Sequence, residues 1–161
     1  MAKAISIIMG SQSDLETVRE AIAVLKEFKV GFEVKVLSAH RTPKELAKYV
    51  EEASKKSTKV FICAAGGSAA LAGVVAAHTI LPVIGIPMET KSLKGLDSLL
   101  STVQMPAGIP VASMSIGKAG AKNAGLFALE ILGAADKKIQ NKLVAYRKNM
   151  RVKIIKAKIK L

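Results

Sequence analysis

The sequence predicts an α/β fold, a three-layer αβα sandwich around a five-stranded parallel sheet. Three observations lead there. Five short apolar runs, rich in β-branched residues, recur along the chain. They are near-continuously apolar rather than alternating, as strands covered on both faces are. Between most of them lie segments with apolar residues at helical spacing, and several run-to-helix junctions carry the Ser, Thr, Asp or Gly that a helix start favours. Strands alternating with helices place the helices on both faces of the sheet.

Taken in order, residues 4–9 form the first strand and residues 10–14 a turn. Ser13 and Glu16 have the spacing of a capping box. Leu15, Val18, Ile22, Leu25 and Phe28 then recur on one helical face, and the helix is expected to end near Lys29, before Gly31. Residues 32–37 are the second strand. After a turn at residues 38–41, Thr42 can cap, Pro43 suits the first helical position and Glu45 closes a second capping box, opening a helix with Leu46, Val50 and Ala53 on one face. Residues 60–64 are the third buried strand. Residues 65–73 make a small-residue turn into a helix that runs to about His78. Residues 82–87 and 108–114 read as the fourth and fifth strands, with a loop and short helix over 91–100 and a returning loop at 104–108. An alanine-rich helix follows from about Lys118 to Leu132. A last helix, roughly Lys137 to Lys160, has no strand left to cover and is expected to reach a neighbouring subunit. No repeat, low-complexity stretch or linker interrupts the chain. Residues 1–161 are read as one domain, with 137–161 a basic C-terminal helical extension.

Composition narrows the function. With 161 residues, 50% of them hydrophobic, the chain can bury a substantial core without staples. Its single cysteine, Cys63, lies in an apolar run and reads as a buried strand residue in a reducing compartment. His, Cys and carboxylates never cluster at metal-ligand spacing, so a dedicated metal site is not expected. The first residues enter a strand without a signal-peptide pattern, and no apolar run is long enough to span a bilayer, which leads to the expectation of a cytoplasmic, soluble protein. Residues 137–161 carry ten Lys and Arg and no acid, so they supply +10 of the net +13. A basic stripe can bind nucleic acid. Here no zinc-finger, RNA-recognition or interleaved aromatic pattern accompanies it, and a solvated helix face or an arm on another subunit is the favoured reading.

Chemistry concentrates in the strand-to-helix turns. Ser38, Ala39, His40, Arg41, Thr42 and Pro43 bring a hydroxyl, an imidazole and a guanidinium to the carboxyl edge of a parallel sheet, where such folds collect ligands. A lone histidine or a lone arginine there is ordinarily structural. In combination, Arg41 and backbone amides offer an anion site, and His40 can move a proton near neutral pH. Ser11 lies in the first turn and Asp14 in the first helical turn, close to the same opening. Residues 65–70 supply a third turn, whose glycines permit close approach to backbone amides. Neither a dinucleotide fingerprint nor a Walker loop is present. The three turns are expected to converge on one cleft, a site for a small phosphorylated ligand with one proton-transfer group.

Residues 9–14 (Met-Gly-Ser-Gln-Ser-Asp), 38–43, 65–73, 95–99, 104–106 with 108–111, and 116–124 together resemble the N5-carboxyaminoimidazole ribonucleotide mutase family of purine biosynthesis. The resemblance runs in order through nearly the whole chain and leaves out only the basic tail after about Arg147. It implies a flavodoxin-like subunit in a homo-octamer with active sites shared between subunits, and an isomerase that needs no metal or organic cofactor. It further implies that a carboxylate moves from the exocyclic nitrogen to carbon 4 of the aminoimidazole ring, through carbon dioxide held in the closed site. Position by position, the resemblance makes His40 the general acid and base. It places Ser11, Ser38 and Arg41 at the phosphate region and Asp14 at the ribose hydroxyls. The backbone of Ala65, Gly66, Gly67 and Ser68 then lines the pocket for carbon dioxide or the carboxylate.

Two positions depart from the family pattern, which usually has histidine at Ala70 and proline at Ala72. His78 stands about 80° round an ideal helix from Ala70 and reads as a structural or interface residue. Related aminoimidazole ribonucleotide carboxylases usually carry lysine at Arg41 and arginine at Gly67, so this sequence sides with the mutase. The carboxylase remains one alternative. A phosphate-ligand or nucleic-acid binding protein on the same fold is another.

Overall fold

In the computed structural model, which describes residues 2–159, β1 (Ile5–Met9) pairs in parallel with both β2 (Phe32–Val36) and β3 (Val60–Ala65). Beyond β3 lie β4 (Val83–Pro87) and β5 (Ala112–Ser113), giving the order β2-β1-β3-β4-β5. That is the flavodoxin-like order, with its switch point between β1 and β3. The helices are α1 (Leu15–Glu27), α2 (Pro43–Ser54), α3 (Leu71–Ala77), α4 (Leu96–Val103), α5 (Gly117–Gly133) and α6 (Lys137–Ile155).

Alternation along each strand divides the core in two. Ile5, Ile7 and Met9 of β1, with Val60, Ile62 and Ala64 of β3, pack against α1 and α5 through Val18, Leu25, Ala124 and Leu129. Ile8, Phe61 and Cys63 face the opposite way, onto Leu46 and Val50 of α2 and Leu71 and Val75 of α3. Burial on both faces explains the unbroken apolar runs. The polar member of β1, Ser6, is fully buried, and its hydroxyl lies 2.7 Å from the Tyr49 hydroxyl on α2.

Two expectations, both about strands, are corrected. The expectation of five buried strands holds for β1, β3 and β4, but β2 is an edge strand whose Lys35 and Val36 are exposed, and charge at such an edge discourages further pairing. The fifth strand shrinks to Ala112–Ser113, paired with Ile84 and Gly85. Gly108, at φ +99°, turns the chain, and Pro110 has no N–H to offer a ladder. α1 closes at Lys29, at φ +57°, ahead of Gly31 as expected. The basic helix, expected to reach a neighbouring subunit, packs along one side on its own. Its start is capped by Asp136, which accepts from the Lys138 and Ile139 amides. Tyr146 then meets Phe28 at a ring separation of 5.8 Å, Lys142 Nζ donates to the Phe28 carbonyl at 2.7 Å, and Arg147 pairs with Glu130. This helix ends at Ile155, and Lys160 lies outside the described residues.

One close approach fixes α4 on the sheet. A Cβ built on Gly85 would stand 2.3 Å from Thr102 Cγ2. Thr102 cannot readily swing aside, because it is buried and its hydroxyl donates to the Ser98 carbonyl at 2.7 Å. Gly85→Ala is therefore expected to destabilise the fold by about 1–3 kcal/mol, the cost of overpacking a filled core. Adding Thr102→Ser, which keeps the hydroxyl and removes the methyl, should recover most of that loss in urea unfolding. A double variant no more stable than Gly85→Ala refutes the steric account.

Candidate functional site

The site is assembled by the strand ends. Gly10 N–H donates to the Ala64 carbonyl at 3.0 Å and Leu37 N–H to the Met9 carbonyl at 3.0 Å, so the parallel ladder continues into the turns and keeps them side by side. Between them opens a cavity of about 400 Å³. The turn after β1 contributes Gly10, Ser11, Ser13 and Asp14, the turn after β2 contributes Ser38 to Arg41, and Ala65, Gly66, Ser68, Ala70 and Leu71 close the third side. The expected convergence of three turns is thus what the fold produces.

In the first turn, a capping box exists two residues earlier than the sequence spacing suggested. Ser11 Oγ accepts from the Ser13 amide at 3.3 Å and the Asp14 carboxylate accepts from the Ser11 amide at 3.2 Å, around a 3-10 turn over Gln12–Asp14. The proposed Ser13 and Glu16 box does not form, since Glu16 instead pairs with Lys118 of α5 at 2.7 Å. Ser11 is accordingly held in the turn by these bonds.

In the second turn Pro43 does occupy the helix start, but Thr42 makes no side-chain cap and the box with Glu45 is absent. Thr42 Oγ1 instead accepts from the Ser38 amide at 2.8 Å and donates to the Ser38 carbonyl at 3.2 Å, closing the turn on itself. Ser38 Oγ accepts from the Arg41 amide at 3.2 Å and from its Nε at 3.4 Å. Arg41 Nη2 donates to the Gly10 carbonyl at 2.8 Å, tying the second turn to the first. Both Arg41 and His40 are exposed at the cleft.

In the third turn Gly67 adopts φ +69° and does not line the cavity with its neighbours. Its amide turns away to donate to Ser98 Oγ of α4 at 2.9 Å. Sequence reasoning grouped Gly67 with Ala65, Gly66 and Ser68; a left-handed residue reverses the direction of its peptide. Ser13 and Ala39 line the cleft as members of turns expected there, whereas no part was assigned to Leu71, which also lines it, or to Ser98, although residues 95–99 had stood out as a block. Ala70 presents only a methyl group at the cleft. His78 lies at the far end of α3, with Nδ1 3.1 Å from Glu51.

Two groups carry shifted acidities that bear on the chemistry. Burial raises the Asp14 carboxyl, and this is opposed by the Ser11 amide, the Ser13 hydroxyl and the charge of Arg41. Burial alone pushes the Cys63 thiol well up, which makes it an inert core group. Among the described residues, no group of three His, Cys, Asp or Glu is placed to hold a metal ion.

Residues 4–153 match the family model described as AIR carboxylase. The chain belongs to the AIR carboxylase family. A Bacillus subtilis relative named N5-carboxyaminoimidazole ribonucleotide mutase is 51% identical over 157 residues, spanning 98% of this chain and 97% of the relative. A Pyrococcus abyssi protein of the same name is 54% identical over 147 residues, spanning 91% of this chain and 83% of its own. The crystal structure of Treponema denticola PurE superposes with a TM-score of 0.85 at 29% identity, covering 94% of this chain and 93% of that one. A 3-dehydroquinate dehydratase-like protein from Bifidobacterium longum, at TM-score 0.52 and 17% identity, shares the fold alone.

Asp14 should leave a measurable signature. Because its folded-state value lies above the ordinary 3.8, its ionised form costs stability at neutral pH. Below that ordinary value the group is neutral in both states and the cost vanishes. Asp14→Asn, which can still accept the Ser11 amide, is expected to melt higher than the parent at pH 7, with the advantage shrinking as pH falls through the carboxylate range. A variant that melts lower at pH 7 contradicts this account.

Proposed function

We propose that the chain is an N5-carboxyaminoimidazole ribonucleotide mutase acting in purine biosynthesis. The observation that carries this reading is the Arg41 to Gly10 hydrogen bond, which gathers His40, Arg41 and Ser38 over Ser11 and Asp14 in one cleft. The names of its half-identical relatives supply the reaction. Arg41, Ser11 and Ser38 take the phosphate, where a guanidinium and hydroxyls give charge-assisted bonds. Asp14 accepts from the ribose hydroxyls. The small side chains and backbone of Ala65, Gly66 and Ser68 form the wall beside the ring, with Gly67 shaping that wall from behind.

His40 then serves twice. The carbamate N–C bond breaks with its electron pair left on nitrogen, which takes a proton from His40 as carbon dioxide is freed. Ring carbon 4, activated by the amine, forms the new C–C bond to that carbon dioxide, and its proton returns to His40. Atoms and charge balance, the acid is regenerated, and the net change is an isomerisation. Holding both reactants together supplies much of the acceleration, and proton transfer the rest.

A homo-oligomer, which we place at eight subunits, accords with the apolar stripe that α4 leaves exposed: Leu96, Leu100 and Val103 recur on one face, with Leu93 beside them. A cytoplasmic setting accords with the buried free thiol of Cys63. None of the described helices is long and apolar enough to cross a membrane.

The deciding experiment gives the purified protein either the carbamate alone or the decarboxylated ribonucleotide with bicarbonate. Product from the carbamate, independent of added bicarbonate, is expected; product only from the second mixture makes the protein a carboxylase. His40→Asn should lower turnover by about 10²–10⁴-fold, the usual worth of a general acid and base, with an unchanged melting temperature. Near-parental turnover removes His40 from the mechanism. Light scattering should give an eight-subunit mass, and Leu100→Lys a smaller one; an unaltered mass places the subunit contacts elsewhere.

A further inference from the structure

α4 stands outside the cleft, yet it holds both polar groups of the Gly67 residue. Ser98 Oγ accepts from the Gly67 amide at 2.9 Å, and Ser101 Oγ donates to the Gly67 carbonyl at 3.3 Å. Ser98 is fully buried, whereas Ser101 is exposed. Nothing lies within 4 Å of a Cβ built on Gly67, so this glycine is required for its left-handed backbone at φ +69° rather than for space. The opposite holds for Gly66, where a built Cβ would lie 3.3 Å from Met88 Cβ and 3.8 Å from Ser98 Oγ. The wall of the cleft is therefore packed close against Met88 at Gly66 and pinned to α4 at Gly67.

The helix is itself anchored. Thr102 seats against Gly85 of β4, and the Thr90 hydroxyl donates to Asp97 at 2.8 Å while accepting from the Gly95 amide at 3.2 Å. A rigid sheet thus fixes α4, and α4 fixes the turn between β3 and α3.

We propose that Ser98 is a positioning residue that, with Ser101 assisting, locks the Gly66 to Ser68 wall so that carbon dioxide freed in the cleft is captured by the ring instead of escaping. This inference rests on the mutase reading. Ser98 touches no substrate and acts through the Gly67 amide. Without its acceptor, that amide must turn toward water and the wall loosens. Escape of carbon dioxide before the C–C bond forms leaves the decarboxylated ribonucleotide as a released product. His40, having given its proton to nitrogen, then recovers one from water.

The readout is a ratio: decarboxylated ribonucleotide released per molecule of carboxylated product, from the carbamate under bicarbonate-free conditions. With the spontaneous decarboxylation of the carbamate, measured without protein, subtracted, it is independent of how much of a preparation is folded. Ser98→Ala is expected to raise the ratio about tenfold, since small misplacements of a reacting pair carry losses of at least that order. Ser101→Ala should raise it less, and Ser98→Thr, which keeps the acceptor, should stay near the parent. Val24→Ala, a core weakening in the other layer, should lower stability and leave the ratio alone. An unchanged ratio in Ser98→Ala overturns the proposal even if its melting temperature falls. If that variant yields no soluble protein, an unchanged ratio in Ser101→Ala overturns it instead. Should the parent itself form no product from the carbamate, the mutase reading fails and takes this inference with it. A parent that turns over normally beside an unaltered Ser98→Ala ratio sinks the inference alone.

Discussion

Because β1 pairs in parallel with β2 on one side and β3 on the other, Met9 stands level with Val36 and Ala64. Three chains then leave the sheet at one edge, a few ångströms apart, before any side chain of the cleft is considered. Parallel neighbours are about 4.8 Å apart, so each turn is within reach of the next. The Arg41 to Gly10 bond exploits that proximity, and the Gly67 to Ser98 bond the corresponding one between β3 and β4. They join segments distant in sequence, which neither could do if the strand order were different.

The cleft is correspondingly plain in chemistry. One imidazole, one guanidinium, one carboxylate and a few hydroxyls stand among backbone and alanine. Such a composition suits a reaction whose reactive fragment is small and already present in the substrate. Asp14 carries a raised carboxyl because a group set into the wall of the cleft is partly stripped of water. That local cost in stability is offset by the surrounding core of β1, β3 and β4.

Much of this was legible in the chain. The runs at β1, β3 and β4 declare themselves because both faces are buried, and the helical spacing of Leu46, Val50 and Ala53 matches a face that is buried in the fold. Cleft membership followed from strand-to-helix turns in a parallel sheet. What escaped reading depends on geometry that spacing does not encode. Ser11 and Asp14 satisfy the same spacing as Ser13 and Glu16, and a partner on α5, Lys118, drew Glu16 away. Thr42 had a competing acceptor in Ser38. The shortness of β5 came from a turn at Gly108 and from Pro110, inside what read as an apolar run. Charge alone gave no hint that α6 folds onto Phe28, since the contact is made by Tyr146 and by one lysine reaching a carbonyl.

Cys63 sits in the middle of β3, 1% exposed, two residues before the Ala65 wall and three before Gly66. Its thiol, held protonated by burial, is silent while the strand stays paired on both sides. The chain thereby carries one natural clock for opening of its central strand: the rate at which a thiol-specific dye finds this sulfur counts how often the sheet parts beneath the cleft, without a label being engineered anywhere else.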